Sequence, residues 1–142
     1  MAGHYNQETR QRLDLAKDMV IRDYAGAQQT RHRLIRRLEA TMATVDYLVL
    51  PTCPCLAPAL DASAIAIDGW SDTVRQALMS YTAPFNIAGF PAISIPLFST
   101  RGTLPAAMQI VARPGYDGAL LKIALEMERM LQSDSSPLSN NA

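Results

Sequence analysis

Between residues 6 and 44 apolar side chains recur among Arg, Gln and Ala, with no proline and a single glycine, Gly26. That composition predicts helix, and two helices fit the stretch. The second is better marked, because Ile35, Leu38, Met42 and Val45 recur at helical spacing and would line one face. The period then shortens. Asp46-Tyr47-Leu48-Val49-Leu50 is a run of strand formers stopped by Pro51, which predicts a buried strand over 48–50. Residues 51–72 hold Pro51, Pro54, Pro58 and Gly69 among small residues and Asp, so they predict a long irregular connection. Residues 71–81 predict a short helix with Val74, Ala77 and Leu78 together. After Gly89-Phe90-Pro91, the run Ala92-Ile93-Ser94-Ile95-Pro96 predicts a buried strand. Residues 106–111 predict its hairpin partner across a turn containing Gly102. Asp117 is the expected N-cap of a last helix to about 131, with Leu120, Leu121, Ala124, Met127 and Leu131 facing inward. The fold class is α/β, a mixed sheet flanked by helices, with 48–50, 92–97 and 106–111 as neighbouring strands. One domain is expected: a helical lead over 6–44, a strand and helix core over 45–131, and a flexible tail over 132–142.

At 142 residues and 49% hydrophobic content, the chain can bury a sizeable core. Thirteen basic residues balance thirteen acidic ones, and charged residues make up 18%, so no global field draws nucleic acid or an anionic membrane. Neither is expected as a partner. No apolar run is long enough to span a bilayer, and the polar start lacks a signal-peptide core. Two cysteines make no disulfide framework, so a reducing, cytoplasmic setting is the default expectation. Charge is uneven only at the start, where Arg31, Arg33, Arg36 and Arg37 surround His32. A solvated helix face is the main reading of that cluster, and a phosphate or partner site the minor one.

Candidate chemistry is sparse. Cys53 and Cys55 would supply two zinc ligands, but zinc takes about four, and the histidines, His4 and His32, lie in the helical half. Two small buried side chains after a strand is the better reading, and no metal or cofactor is expected. Gly-x-Ser-x-Gly and Ser-x-x-Lys are absent from the sequence, and Lys17 and Lys122 fall within predicted helices as solvated residues. One segment stands apart. Residues 81–96 place Thr82 and Asn86 beside Pro and Gly positions just before a buried strand. Polar groups there either orient a ligand or, in the case of Asn86, cap and brace a turn.

That segment reads Thr82, Pro84, Phe85, Asn86, Gly89, Pro91, Ala92, Ser94 and Pro96 at fixed spacing. The pattern resembles the C-terminal portion of the amidase signature family, serine amidohydrolases in which it leads into a core strand. Further pieces follow in the family's order: Asp23-Tyr24 with Arg31 and Arg33, then 46–52 with Pro54 and Ala57-Pro58. After the fingerprint come Leu104-Pro105, Gln109-Ile110-Val111, Arg113-Pro114-Gly115, Asp117, Leu120-Leu121 and Leu125-Glu126. The resemblance covers roughly residues 6–131. Ala106-Ala107 depart from a Val-Gly pair common at that strand.

The resemblance implies amide-bond hydrolysis, with Thr82, Phe85 and Asn86 near the acyl pocket. It also implies a Lys, a cis-peptide Ser and a nucleophilic Ser that have no counterpart in these residues. The expectation is therefore an amidase fragment inactive alone, or a non-catalytic binding or assembly module keeping the fold elements. Strands left bare on an apolar edge would then call for self-association or a complementary amidase half.

Overall fold

The computed structural model of the protein describes residues 5–97 and 104–134. The lead forms α1 (Gln7–Leu15) and α2 (Ile21–Met42). Each start is fixed by a side chain: the Asn6 oxygen accepts from Thr9 N–H at 2.8 Å, and Asp23 accepts from Val20 N–H at 3.1 Å. The α2 stripe buries Met42, with Leu34, Ile35 and Leu38 packed beside it. Val45, expected in that stripe, lies beyond the helix end and is exposed, because the helix stops at Met42.

The three expected strands form one antiparallel sheet. β1 (Leu48–Pro51), β4 (Ala92–Leu97) and β5 (Ala106–Val111) are ordered β1-β5-β4, so β5 is the shared centre. The turn containing Gly102 lies outside the described residues. Register sorts the side chains: Leu48 and Ala92 flank Val111, while Leu50 and Ser94 flank Gln109, on one face. Val49 and Ile93 flank Ile110 on the other face. The first face packs Val111, Leu48 and Leu50 against Met42, Phe85, Ala88 and Phe90. The second packs Ile95, Ile110 and Ala112 against Leu120 and Ala124 of α5 (Asp117–Asp134).

Two details of α5 differ from expectation. Tyr116, not Asp117, precedes the first turn, since its carbonyl accepts from Leu120 N–H at 2.9 Å; Asp117 is the first helical residue, where its charge suits the helix dipole. Leu121 is exposed, and Ile123 takes the inward place instead. The helix also runs on through Gln132 to Asp134, into the stretch expected as tail, and the rest of that tail lies outside the described residues.

The connection over 51–72 is not irregular throughout. It contains a hairpin, β2 (Ala64–Ile67) paired with β3 (Trp70–Thr73). Asp68 and Gly69 join them with φ of 45° and 81°, the two positive values that a tight type I′ turn requires. α3 (Val74–Met79) follows directly, its start capped by Thr73, and it buries Ala77. The segment expected as a turn before β4 is itself a helix, α4 (Ala83–Ala88). Pro84 suits its first turn, and Gly89 closes it at φ 79° while Phe90 N–H donates to the Phe85 carbonyl at 3.0 Å.

Gly89 and Gly26 therefore answer alanine oppositely. A Cβ meets nothing within 4 Å at either site, so backbone conformation alone decides. Gly89→Ala is expected to cost about 1–2 kcal/mol for forcing a left-handed conformation. Gly26→Ala, inside α2, is expected to gain about 0.5–1 kcal/mol. Urea unfolding of the two variants checks both signs; equal effects would contradict the assigned conformations.

Candidate functional site

The first face of the sheet carries a small recess of about 250 Å³, lined by Thr82, Phe85, Asn86, Phe90, Ala92, Ser94 and Gln109. All three residues expected near a pocket are thus brought together. β5 supplies its floor. Gln109 is 1% exposed, and its amide donates to the Tyr81 carbonyl at 2.8 Å and more weakly to the Pro51 carbonyl at 3.4 Å. A buried amide with firm partners fixes the loop ends that meet there, joining β1 and the start of α4 to the central strand. Ser94, its cross-strand neighbour, accepts from the Thr52 hydroxyl at 3.0 Å.

The three expected residues play unequal parts. Phe85 is buried at 7% exposure and belongs to the core beneath, so only part of its ring reaches the recess. Thr82 is half-buried, its hydroxyl donating to the Met79 carbonyl at 3.4 Å. Asn86 is exposed on α4. Its backbone braces the turn, the N–H donating to the Thr82 carbonyl at 3.2 Å and the C=O accepting from Gly89 N–H at 3.3 Å. The bracing expected of a side chain comes from elsewhere. Arg31 Nε donates to the Ile87 carbonyl at 2.7 Å, satisfying an end carbonyl of α4 from α2. Arg31 is therefore not simply solvated, whereas Arg33, Arg36, Arg37 and His32 are exposed.

A larger, mainly apolar cavity of about 990 Å³ opens beside the ends of the sheet, with Val49, Cys53, Cys55, Leu78, Leu97 and Met108 in its wall. Cys53 and Cys55 are half-buried free thiols rather than fully buried, because the loop holding them forms one side of this cavity. The Cys53 thiol points to the Leu78 carbonyl at 3.8 Å. No group of three or more His, Cys, Asp and Glu side chains able to hold a metal occurs among the described residues. His4 lies outside them. Lys17 pairs with Asp14 on the surface and Lys122 is exposed.

Gln109 and Ser94 are site residues that the sequence pattern does not mark as such. A lone amide between apolar neighbours in a strand is a signal, but its partners lie 28 and 58 residues away in sequence. Local pattern does not reach that far.

The antiparallel sheet thus has the Thr-x-Pro-Phe-Asn helix feeding its outer strand and a buried glutamine at its centre, and comparison gives the family. Residues 3–121 match the Amidase family, and the chain belongs to it. It is 30% identical over 123 residues to a fatty acid amide hydrolase of Medicago truncatula, covering 87% of this chain and 20% of that protein. It is 29% identical over 130 residues to a fatty acid amide hydrolase of Arabidopsis thaliana, covering 92% and 21%. A glutamyl-tRNA(Gln) amidotransferase chain of Synechococcus sp. (strain CC9605) is 35% identical over 109 residues, covering 77% and 21%. Among solved structures the chain superimposes on an amidase with TM-score 0.80 at 27% identity, over 89% of this chain and 29% of that one. A 6-aminohexanoate cyclic dimer hydrolase gives TM-score 0.68 at 26% identity, over 87% and 27%. The chain spans about a fifth of the length of these sequence relatives. The α/β architecture is that of amidase structures over the part compared. No helix among the described residues is long and apolar enough to cross a membrane.

Proposed function

We propose that this chain is the C-terminal portion of an amidase-type hydrolase acting on carbon–nitrogen amide bonds. The observation that carries the reading is the recess in which Thr82, Phe85 and Asn86 meet over Gln109 and Ser94, all within the residues that match the family. In this reading Phe85 gives an apolar wall for the acyl group. Thr82 and Asn86 offer polar groups at the rim, and the Gln109 amide holds the loops in place. The bond-breaking step is attack of a serine hydroxyl on the amide carbonyl, with a lysine and a second serine relaying protons and backbone N–H groups holding the oxyanion. Those groups come from a complementary amidase portion, and the chemistry calls on no metal or cofactor. Self-association is the other partner reading, and free thiols at Cys53 and Cys55 fit a reducing, cytoplasmic setting.

A non-catalytic binding or assembly module is the second reading, favoured by the 990 Å³ apolar cavity, which has room for a ligand or a segment of another chain. One experiment separates the two. The purified chain is expected to leave simple amides and esters at the background rate, with no response to a serine-directed inhibitor. Combined with the N-terminal portion of an amidase it is expected to give turnover, in which Phe85→Ala shifts relative kcat/KM between short and long acyl groups more than it lowers the melting temperature. Failure of every such combination to turn over, with tight binding of an apolar ligand by this chain alone, favours the module.

A further inference from the structure

A helix as short as α4 cannot hold its place by its own hydrogen bonds, yet it carries Thr82 at its start and Phe85 and Asn86 within it. Its position has to be fixed from outside. Packing fixes the middle, where Phe85 and Ala88 are buried in the core that α2 covers with Leu34, Ile35, Leu38 and Met42. Apolar contact is non-directional, so it resists separation of the two helices more than it resists sliding or rotation. Direction comes from the ends. At the entry to α4 the Gln109 amide of β5 donates to the Tyr81 carbonyl at 2.8 Å, and at the exit Arg31 Nε of α2 donates to the Ile87 carbonyl at 2.7 Å.

The exit bond comes from a place in α2 where the period calls for an apolar side chain. Arg31 stands one turn before Ile35, in the stripe that continues through Leu38 and Met42. It is half-buried there, and its head reaches the last turn of α4. Arg31 forms no ion pair among the described residues, so no carboxylate competes with the carbonyl for its guanidinium. A charged donor makes the stronger kind of hydrogen bond. The Ile87 side chain is 50% exposed, so α2 grips this turn by its carbonyl.

We propose that Arg31 is a positioning residue for the recess: with Gln109 it clamps α4 at both ends and so sets where Thr82, Phe85 and Asn86 stand over Ser94 and Gln109. The proposal rests on the reading of that recess given above and adds a residue outside it. Arg31 does not line the recess, so it acts through α4 alone. A helix of fewer than two turns moves as one body, and play at Ile87 becomes displacement at Thr82 and Asn86.

Two substitutions in the full 142-residue chain test the clamp by NMR. Arg31→Met keeps a long stem and removes the donor, whereas Arg31→Lys returns a charged donor able to reach the same carbonyl. The reporter is the Gln109 side-chain amide, because it meets the end of α4 far from the substitution and belongs to a different element. In Arg31→Met its signals are expected to shift and to broaden through μs–ms exchange, while those of Ile110 and Leu120, on the other face of the sheet, stay where they are. Arg31→Lys is expected to return the Gln109 signals toward their parent positions. In an enzyme reassembled with the N-terminal portion of an amidase, Arg31→Met is expected to lower kcat/KM on the order of tenfold and Arg31→Lys to recover most of the loss. A contribution to stability alone would lower the urea midpoint and leave the Gln109 signals unmoved, and that result overturns the proposal. So does a lysine variant no closer to the parent than the methionine one. Absence of turnover in the reassembled enzyme counts against the amidase reading, and the NMR result on this chain still decides the role of Arg31.

Discussion

Ile110→Ala is expected to destabilise the fold by about 2–5 kcal/mol, toward the upper end of that range. Ile110 is fully buried on the central strand, where it packs with Ile95, Ala112, Leu120 and Ala124. The site has little freedom to collapse, because β5 is hydrogen-bonded to β1 on one side and β4 on the other. A cavity there stays open, and both the lost transfer energy and the lost contacts are felt. Ile110→Val, which removes one methylene group, should cost about 0.5–1.5 kcal/mol. Urea unfolding followed by circular dichroism gives both numbers. A cost below about 1 kcal/mol for alanine would mean that α5 does not pack on the sheet as described.

The second large effect is expected at Gln109, where the cost comes from polarity rather than volume. Gln109→Leu keeps most of the bulk but leaves the Tyr81 carbonyl without its 2.8 Å donor, for an expected loss of about 1–3 kcal/mol. Gln109→Glu is worse at neutral pH, since an ionised carboxylate would face the Tyr81 and Pro51 carbonyls in a buried place. Burial and two acceptors raise the pKa of that new carboxyl in the fold above its unfolded value of about 4.3. Its neutral form donates one hydrogen bond, so the variant should approach the parent below that pH and fall behind as pH rises toward 7. Parallel melts at pH 4 and pH 7 decide it; a gap that narrows on raising pH would show that Gln109 is not the donor assigned to it.

Much of the architecture is legible along the chain because it is written in local period. The Ile35, Leu38 and Met42 stripe and the strands around Val49, Ile93 and Ile110 all lie where their spacing puts them. The β2–β3 hairpin is masked because its residues are small and sit among prolines, although Asp68-Gly69 carries a hairpin turn and Ile65 and Ile67 alternate before it. α4 is masked for a related reason. Pro84 and Gly89 mark turns when read singly, yet five residues apart they start and end a short helix. At the site, Thr82, Phe85 and Asn86 are visible because they stand together in sequence. Gln109 and Ser94 reach it through strand register, and Arg31 braces the end of α4 through a contact that local pattern does not encode.

The order β1-β5-β4 has a consequence for how the sheet comes into being. Among the described residues β1 and β4 are not paired with each other; each pairs with β5, the last strand described. As the polypeptide is synthesised, no part of this sheet can assemble until residues 106–111 have emerged, whereas the β2–β3 hairpin is complete long before. Until then β1 and β4 are made without the β5 strand that they share, with α1 and α2 already made. Loop closure between β1 and β5 joins distant parts of the chain, which slows the decisive step and lengthens that interval. A nascent chain of this kind depends on whatever shields those strands during translation, so chaperone supply at the ribosome bears directly on the yield of folded protein.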